Sequence, residues 1–97
     1  MTKLNPTHQE STQFLKNLGK RLRYLRSRQA WSQQQLAYES GLATASMGAI
    51  ERGEVNTTLD SLLKLSQALG LTLSQLLTGT EPGFYKQRSQ QRQISRK

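Results

Sequence analysis

Residues 32–53, SQQQLAYESGLATASMGAIERG, constrain this chain more tightly than any other segment. Ser32, with Gln35 three residues later, has the form of a capping box, S-x-x-Q. In that motif two side chains satisfy free N–H groups of a first helical turn. Leu36 and Ala37 then face inward, and Gly41 stands where a left-handed residue ends a helix. Leu42 plugs the turn. A second helix is expected over residues 44–52, with Met47 and Ile50 inward and Gly53 as its stop. Start and stop signals therefore enclose two short helices joined by a tight turn that contains a glycine.

That arrangement is a helix-turn-helix, which places its second helix in a DNA groove. The bulk charge agrees with a polyanionic partner. The chain has 97 residues, enough for one small domain, and 14 Lys and Arg against 6 Asp and Glu give a formal net charge of +8. The bland alternative is a basic protein with no such partner. The charge is unevenly placed. Lys16, Lys20, Arg21, Arg23, Arg26 and Arg28 occur with no acid among them. Residues 29–80 hold Arg52 and Lys64 against Glu39, Glu51, Glu54 and Asp60. Residues 84–97 again carry only bases: Lys86, Arg88, Arg92, Arg96 and Lys97.

Other chemistry is excluded by what the chain lacks. With no cysteine there is no disulfide framework or thiolate site, which fits a reducing cytosol. Residues 1–13 have no apolar signal region, and no apolar run approaches a membrane span. A cytoplasmic, nucleoid-associated protein with no membrane partner is the expectation. His8 is the single histidine, the mid-chain acids are separated, and no glycine-rich phosphate loop occurs. No catalytic residue, cofactor or metal site is expected.

The remaining pattern is all-α, with five helices. Residues 1–10 read as a flexible N-terminus, 11–79 as the helical domain, and 80–97 as a hinge and basic tail. Helix 1 is expected over residues 11–29, capped by Ser11 or Thr12. Its stripe is Phe14, Leu15, Leu18, Leu22 and Leu25. Gly19 inside it costs about 1 kcal/mol against Ala. The bases on its other faces read either as solvated surface or as phosphate contacts. Helix 4 begins at Thr57 or Thr58, ends at Gly70, and puts Leu59, Leu62, Leu63, Ser66 and Leu69 on one face. Helix 5 is capped by Thr72 with Gln75 closing a second box, and Leu73, Leu76 and Leu77 face inward.

Three segments, RLRYLRSRQAWSQQQLAYESGL, IERGEVNTTLDSLLKLSQALGL and TLSQLL, resemble the DNA-binding domain of lambdoid phage repressors and Cro-like regulators, the XRE family. The likeness spans about residues 15–77 and implies a five-helix, lambda-repressor-like fold. It implies a sequence-specific transcriptional regulator, a repressor or autoregulator, bound as a homodimer to a double-stranded DNA operator. The string ERG-x-x-N-x-TL is also similar to restriction–modification controller proteins. Trp31 with NTTL resembles helix-turn-helix antitoxins, which implies a toxin as alternative partner.

The resemblance places Gln33 at a phosphate, and Ser32 beside it is expected to contact DNA. A helix N-terminus suits a phosphate, with its free N–H groups and partial positive charge. Gln33 otherwise only continues a polar first turn. Inward Met47 and Ile50 turn Thr44, Ala45, Gly48 and Ala49 outward, with Ser46 free to bond a base or a phosphate. This face holds no Arg, Lys, Asn or Gln. It offers methyls for a thymine methyl and hydroxyls for hydrogen bonds. Either specificity comes from these and from DNA shape, or the domain binds mainly backbone or depends on a partner. Ala43 at the cap position costs about 1 kcal/mol against Ser. Arg52 and Asn56 are expected at phosphates, unless Arg52 pairs with Glu51 or Glu39 and Asn56 caps the loop. A dimer interface is expected at Leu71, Leu73, Leu76 and Leu77, the alternative being burial within one monomer. The tail from Tyr85 reads as a phosphate-tracking arm or as a solubilising or partner-binding segment.

Overall fold

The computed structural model describes residues 6–82. Residues 1–5 of the expected flexible N-terminus, and residues 83–97 of the expected hinge and tail, lie outside the described residues. The five expected helices are present: α1 Pro6–Arg28, α2 Gln33–Ser40, α3 Thr44–Glu51, α4 Leu59–Ala68 and α5 Leu73–Leu76. Among the described residues there is no strand.

Local signals set most boundaries as expected. Ser32 Oγ accepts from the Gln35 N–H at 3.1 Å, and Gly41 closes α2 at φ 74°. Only half of that capping box forms, because the Gln35 carboxamide donates to Glu39 at 2.7 Å instead. Thr58 is the α4 cap, accepting from the Ser61 N–H. Thr72 and Gln75 make both halves of the second box. Ala43 provides no side-chain cap to α3.

One boundary differs. α1 begins at Pro6, five residues before the expected start at residue 11. Proline suits a first helical position, where its missing N–H has no intrahelical partner to lose and its φ is already helical.

The core comprises Leu18, Leu22, Leu36, Ala37, Met47, Ile50, Leu62, Leu65, Leu69 and Leu76. Gly19 is part of the packing rather than a flaw in α1. A Cβ on Gly19 would sit 2.1 Å from the Glu51 carbonyl oxygen, so the absent side chain is what lets α1 and α3 meet. The helix-propensity cost of glycine is offset by this contact.

Two apolar expectations need correction. On α4, Leu65 is fully buried, whereas Leu59 and Leu63 are 62% and 42% exposed. The inward face runs through Leu62, Leu65, Ser66 and Leu69, at helical spacings of three and four. Leu59 and Leu63 fall off that stripe. In the expected dimer set, Leu76 is fully buried within the monomer, while Leu71, Leu73 and Leu77 are half-buried against the core.

The packed domain reaches Thr80, the first residue of the expected hinge. Thr80 is buried, and its carbonyl accepts from Asn17 Nδ2 at 3.0 Å. Arg21 seals the end of α5 by donating to the carbonyls of Gln75 at 2.7 Å and Leu76 at 3.1 Å. The last carbonyls of a helix need such partners.

Candidate nucleic-acid interface

The α2–α3 pair is fastened to α1 through one buried carboxylate. Glu51, the last residue of α3, has a fully buried side chain. Arg26 grips it with both arms, Nε to Oε2 at 2.6 Å and Nη2 to Oε1 at 3.0 Å. Arg26 also donates to the Trp31 carbonyl, which ties the end of α1 to the entry of α2. Gln33 Nε2 donates to Glu51 Oε1 at 2.9 Å, and Arg23 stands at 3.8 Å from the same oxygen. The hydrogen bond to Glu51, with its charge, raises the Arg26 pKa against the opposing effect of burial. A buried charge needs such pairing to be tolerated.

This network alters the expectation for Gln33. One of the two N–H groups of its carboxamide is committed to Glu51, which leaves the other for a phosphate. The start of α2 also offers its backbone. The first N–H groups of a helix have no intrahelical acceptor, and Ser32 beside them is exposed.

The network adds a structural role to the two readings of the α1 bases, while Arg23, Arg28, Lys16 and Lys20 stay exposed. Arg21, Arg23 and Arg26 are engaged with α5, α3 and the α1–α2 turn. Arg28 stacks over the Tyr24 ring at 5.8 Å and donates to its hydroxyl. Lys16 backs onto Gly53, where a Cβ would lie 2.9 Å from the Lys16 Cα. Lys16 and Lys20 are exposed.

On α3, Thr44, Ala45 and Ser46 are exposed, as expected, and Ala49 is half-buried. Gly48 is buried, against expectation. It is covered by two side chains. A Cβ there would lie 3.1 Å from Arg52 Nη1 and 3.6 Å from Gln33 Oε1. Gly48 is therefore the floor beneath Arg52 and Gln33, not a surface that reads bases.

Arg52 is exposed and pairs with neither Glu51 nor Glu39. Its Nε lies 2.9 Å from Glu54 Oε2. The hydrogen bond and charge of Glu54 raise the Arg52 pKa. Asn56 is exposed and does not cap α4, a role taken by Thr58. With Val55, Thr57, Thr58 and Ser61 it forms one wall of a groove of about 430 Å³, opposite Ala45, Ser46 and Ala49. The plain face of α3 is thus bordered by Gln33 and Arg52 over Gly48, and by the α3–α4 loop at Asn56.

Glu51 is the residue that sequence reasoning misplaced. The linear pattern presents it only as a surface partner of Arg52. Its signal was present in the unbalanced bases of α1, where Arg23 and Arg26 lie one turn apart.

Comparison with known proteins identifies the family. A helix-turn-helix family model matches residues 22–76, more than half of the chain.

The chain belongs to the helix-turn-helix family.

Its matches are of the XRE type, and the chain is a DNA-binding transcription regulator. Control protein C.BamHI of Bacillus amyloliquefaciens is 38% identical over 71 residues, covering 72% of this chain and 88% of that protein. Control protein C.SmaI of Serratia marcescens is 41% identical over 61 residues, covering 63% of this chain and 73% of the other. Among solved structures, the restriction-modification controller protein C.AhdI from Aeromonas hydrophila superposes with a TM-score of 0.62 at 42% identity. That match covers 64% of this chain and 94% of the controller. The helix-turn-helix relatives are regulators rather than enzymes. Among the described residues, no group of His, Cys, Asp or Glu could hold a metal ion. No helix there is long and apolar enough to cross a membrane.

Proposed function

We propose that this regulator binds a double-stranded operator as a homodimer, with α3 in the major groove. The observation that carries the reading is the exposed, uncharged face of α3 bordered on both sides by polar groups suited to phosphate. Thr44, Ala45, Ser46 and Ala49 approach the bases. Methyl and hydroxyl contacts then supply sequence preference, with DNA shape adding to it. The N–H groups at the start of α2, beside Ser32 and Gln33, receive one phosphate. Arg52 and Asn56 receive others. Gly48 contributes by letting Arg52 lie close to α3.

Dimerisation is proposed at Leu59 and Leu63 on α4. These two leucines are exposed one helical turn apart. The half-buried Leu71, Leu73 and Leu77 flank the contact in place of Leu76, which its own monomer consumes. A two-fold dimer presents two copies of α3 to half-sites about one helical turn apart. A narrower reading, control of a restriction–modification gene pair, draws on the similarity to the two control proteins. The identity of the adjacent genes tests it.

Selection of bound duplexes from a random pool tests the main proposal. The expected product is an inverted repeat with half-site centres about 10 base pairs apart. A pool that shows no enriched sequence after repeated rounds would refute sequence-specific binding.

A further inference from the structure

The Arg52–Glu54 pair lies on the surface of the fold. Both side chains are more than half exposed, at 57% and 55%. An exposed pair of this kind adds little to stability. It does decide how the guanidinium is presented. Glu54 Oε2 holds the Nε edge at 2.9 Å. Nη1 lies against α3 above Gly48, which Gln33 Oε1 also covers. Among the described residues, neither Nη atom makes a hydrogen bond.

The other mid-chain acids sit elsewhere. Glu51 is buried under Arg26, Glu39 accepts from Gln35, and Asp60 pairs with Lys64 at 3.1 Å. Among the described residues, Glu54 is therefore the one carboxylate that touches a cation of the proposed interface.

We propose that Glu54 is an internal substitute for a DNA phosphate on Arg52, and that it limits the affinity of the chain for DNA. The inference rests on the reading of Arg52 as a phosphate contact. A guanidinium holds an anion best through two parallel N–H groups, and carboxylate and phosphate compete for the same fork. Glu54 already occupies one of these donors. An incoming phosphate must displace it, or dock on the Nη edge beside a fixed negative charge. Both routes weaken binding without regard to sequence, because the contact is to backbone. The wild-type pair also hides one cation from the counterion count, since Arg52 is neutralised before DNA arrives.

The test compares full-length chains carrying Glu54→Gln, Arg52→Ala and both changes. Binding to a selected duplex and to a random duplex is measured by fluorescence anisotropy across a salt series. Circular dichroism checks that each variant keeps its helices. Glu54→Gln is expected to tighten binding about two- to fivefold at low salt, equally on both duplexes. The slope of log affinity against log salt is expected to steepen by about 0.9, one further phosphate neutralised. In the Arg52→Ala background the same change is expected to do nothing. Unchanged or weaker binding by Glu54→Gln would overturn the proposal. So would tightening that persists without Arg52, since that is general electrostatics rather than competition for one cation. If Arg52→Ala weakens binding while Glu54→Gln has no effect, only the role of Glu54 falls. If Arg52→Ala itself has no effect, the phosphate reading of Arg52 falls with it.

Discussion

The two sides of α3 differ in almost every physical respect. The inner side holds Met47, Ile50 and the buried Glu51, with Gly19 of α1 pressed against the Glu51 carbonyl. Each of these residues is fixed by a neighbour at close range. The outer side holds Thr44, Ala45 and Ser46, which are exposed and small. The difference teaches that this domain spends its specific interactions on orienting α3, and leaves the surface it presents almost bare. Placement and readout are separate properties of the same eight-residue helix, and substitutions should separate them.

The largest effect is expected at Glu51. Glu51→Ala removes the acceptor of Arg26 and Gln33 and leaves a half-buried guanidinium unpaired. A loss of about 3 kcal/mol in urea denaturation is expected. A loss below about 1 kcal/mol would show that the network is not what seats α3. Gly19→Ala comes next, at about 2 kcal/mol destabilising. Its sign is the diagnostic, because the same change in an isolated helix would stabilise by about 1 kcal/mol. A more stable Gly19→Ala variant would mean that α1 and α3 do not touch as described.

Ala43→Ser should act in the opposite direction. It supplies the missing cap of α3 and is expected to raise stability by about 1 kcal/mol. Leu63→Glu is expected to leave the monomer folded, because the residue is 42% exposed. It should shift sedimentation from dimer to monomer, and a dimer that survived it would place the interface elsewhere. The smallest effect on stability is expected on the outer face. Thr44→Ala should change unfolding by no more than about 0.5 kcal/mol and yet alter the selected DNA sequence. An unchanged site would move base readout away from Thr44.

The legible part of this protein was the part governed by neighbours in sequence. Ser32, Thr58 and Thr72 cap helices through residues three positions on, and Gly41 ends α2 through its own φ. Such signals act over one turn, so a linear reading finds them. Leu65 and Leu63 were interchanged because a leucine-rich helix offers more than one apolar stripe, and only the facing helices choose between them. The linear pattern leaves the bases of α1 between solvent and phosphate, because it marks their charge but not their partners. Arg21, Arg23 and Arg26 turned out to bond groups that lie 54, 28 and 25 residues away along the chain.

Gly19 and Gly48 show the same division most sharply. Both read as weak or neutral positions within a helix, since glycine lowers helix propensity and offers no side chain. Their value lies in what approaches them: the Glu51 backbone in one case, Arg52 and Gln33 in the other. By itself the sequence determined the helices, their caps and the helix-turn-helix, because those follow from local hydrogen bonding and apolar period. Tertiary structure alone decided which leucines stayed exposed, which charges were buried and how Arg52 was aimed. Those outcomes depend on close contacts between segments that only the folded chain brings together.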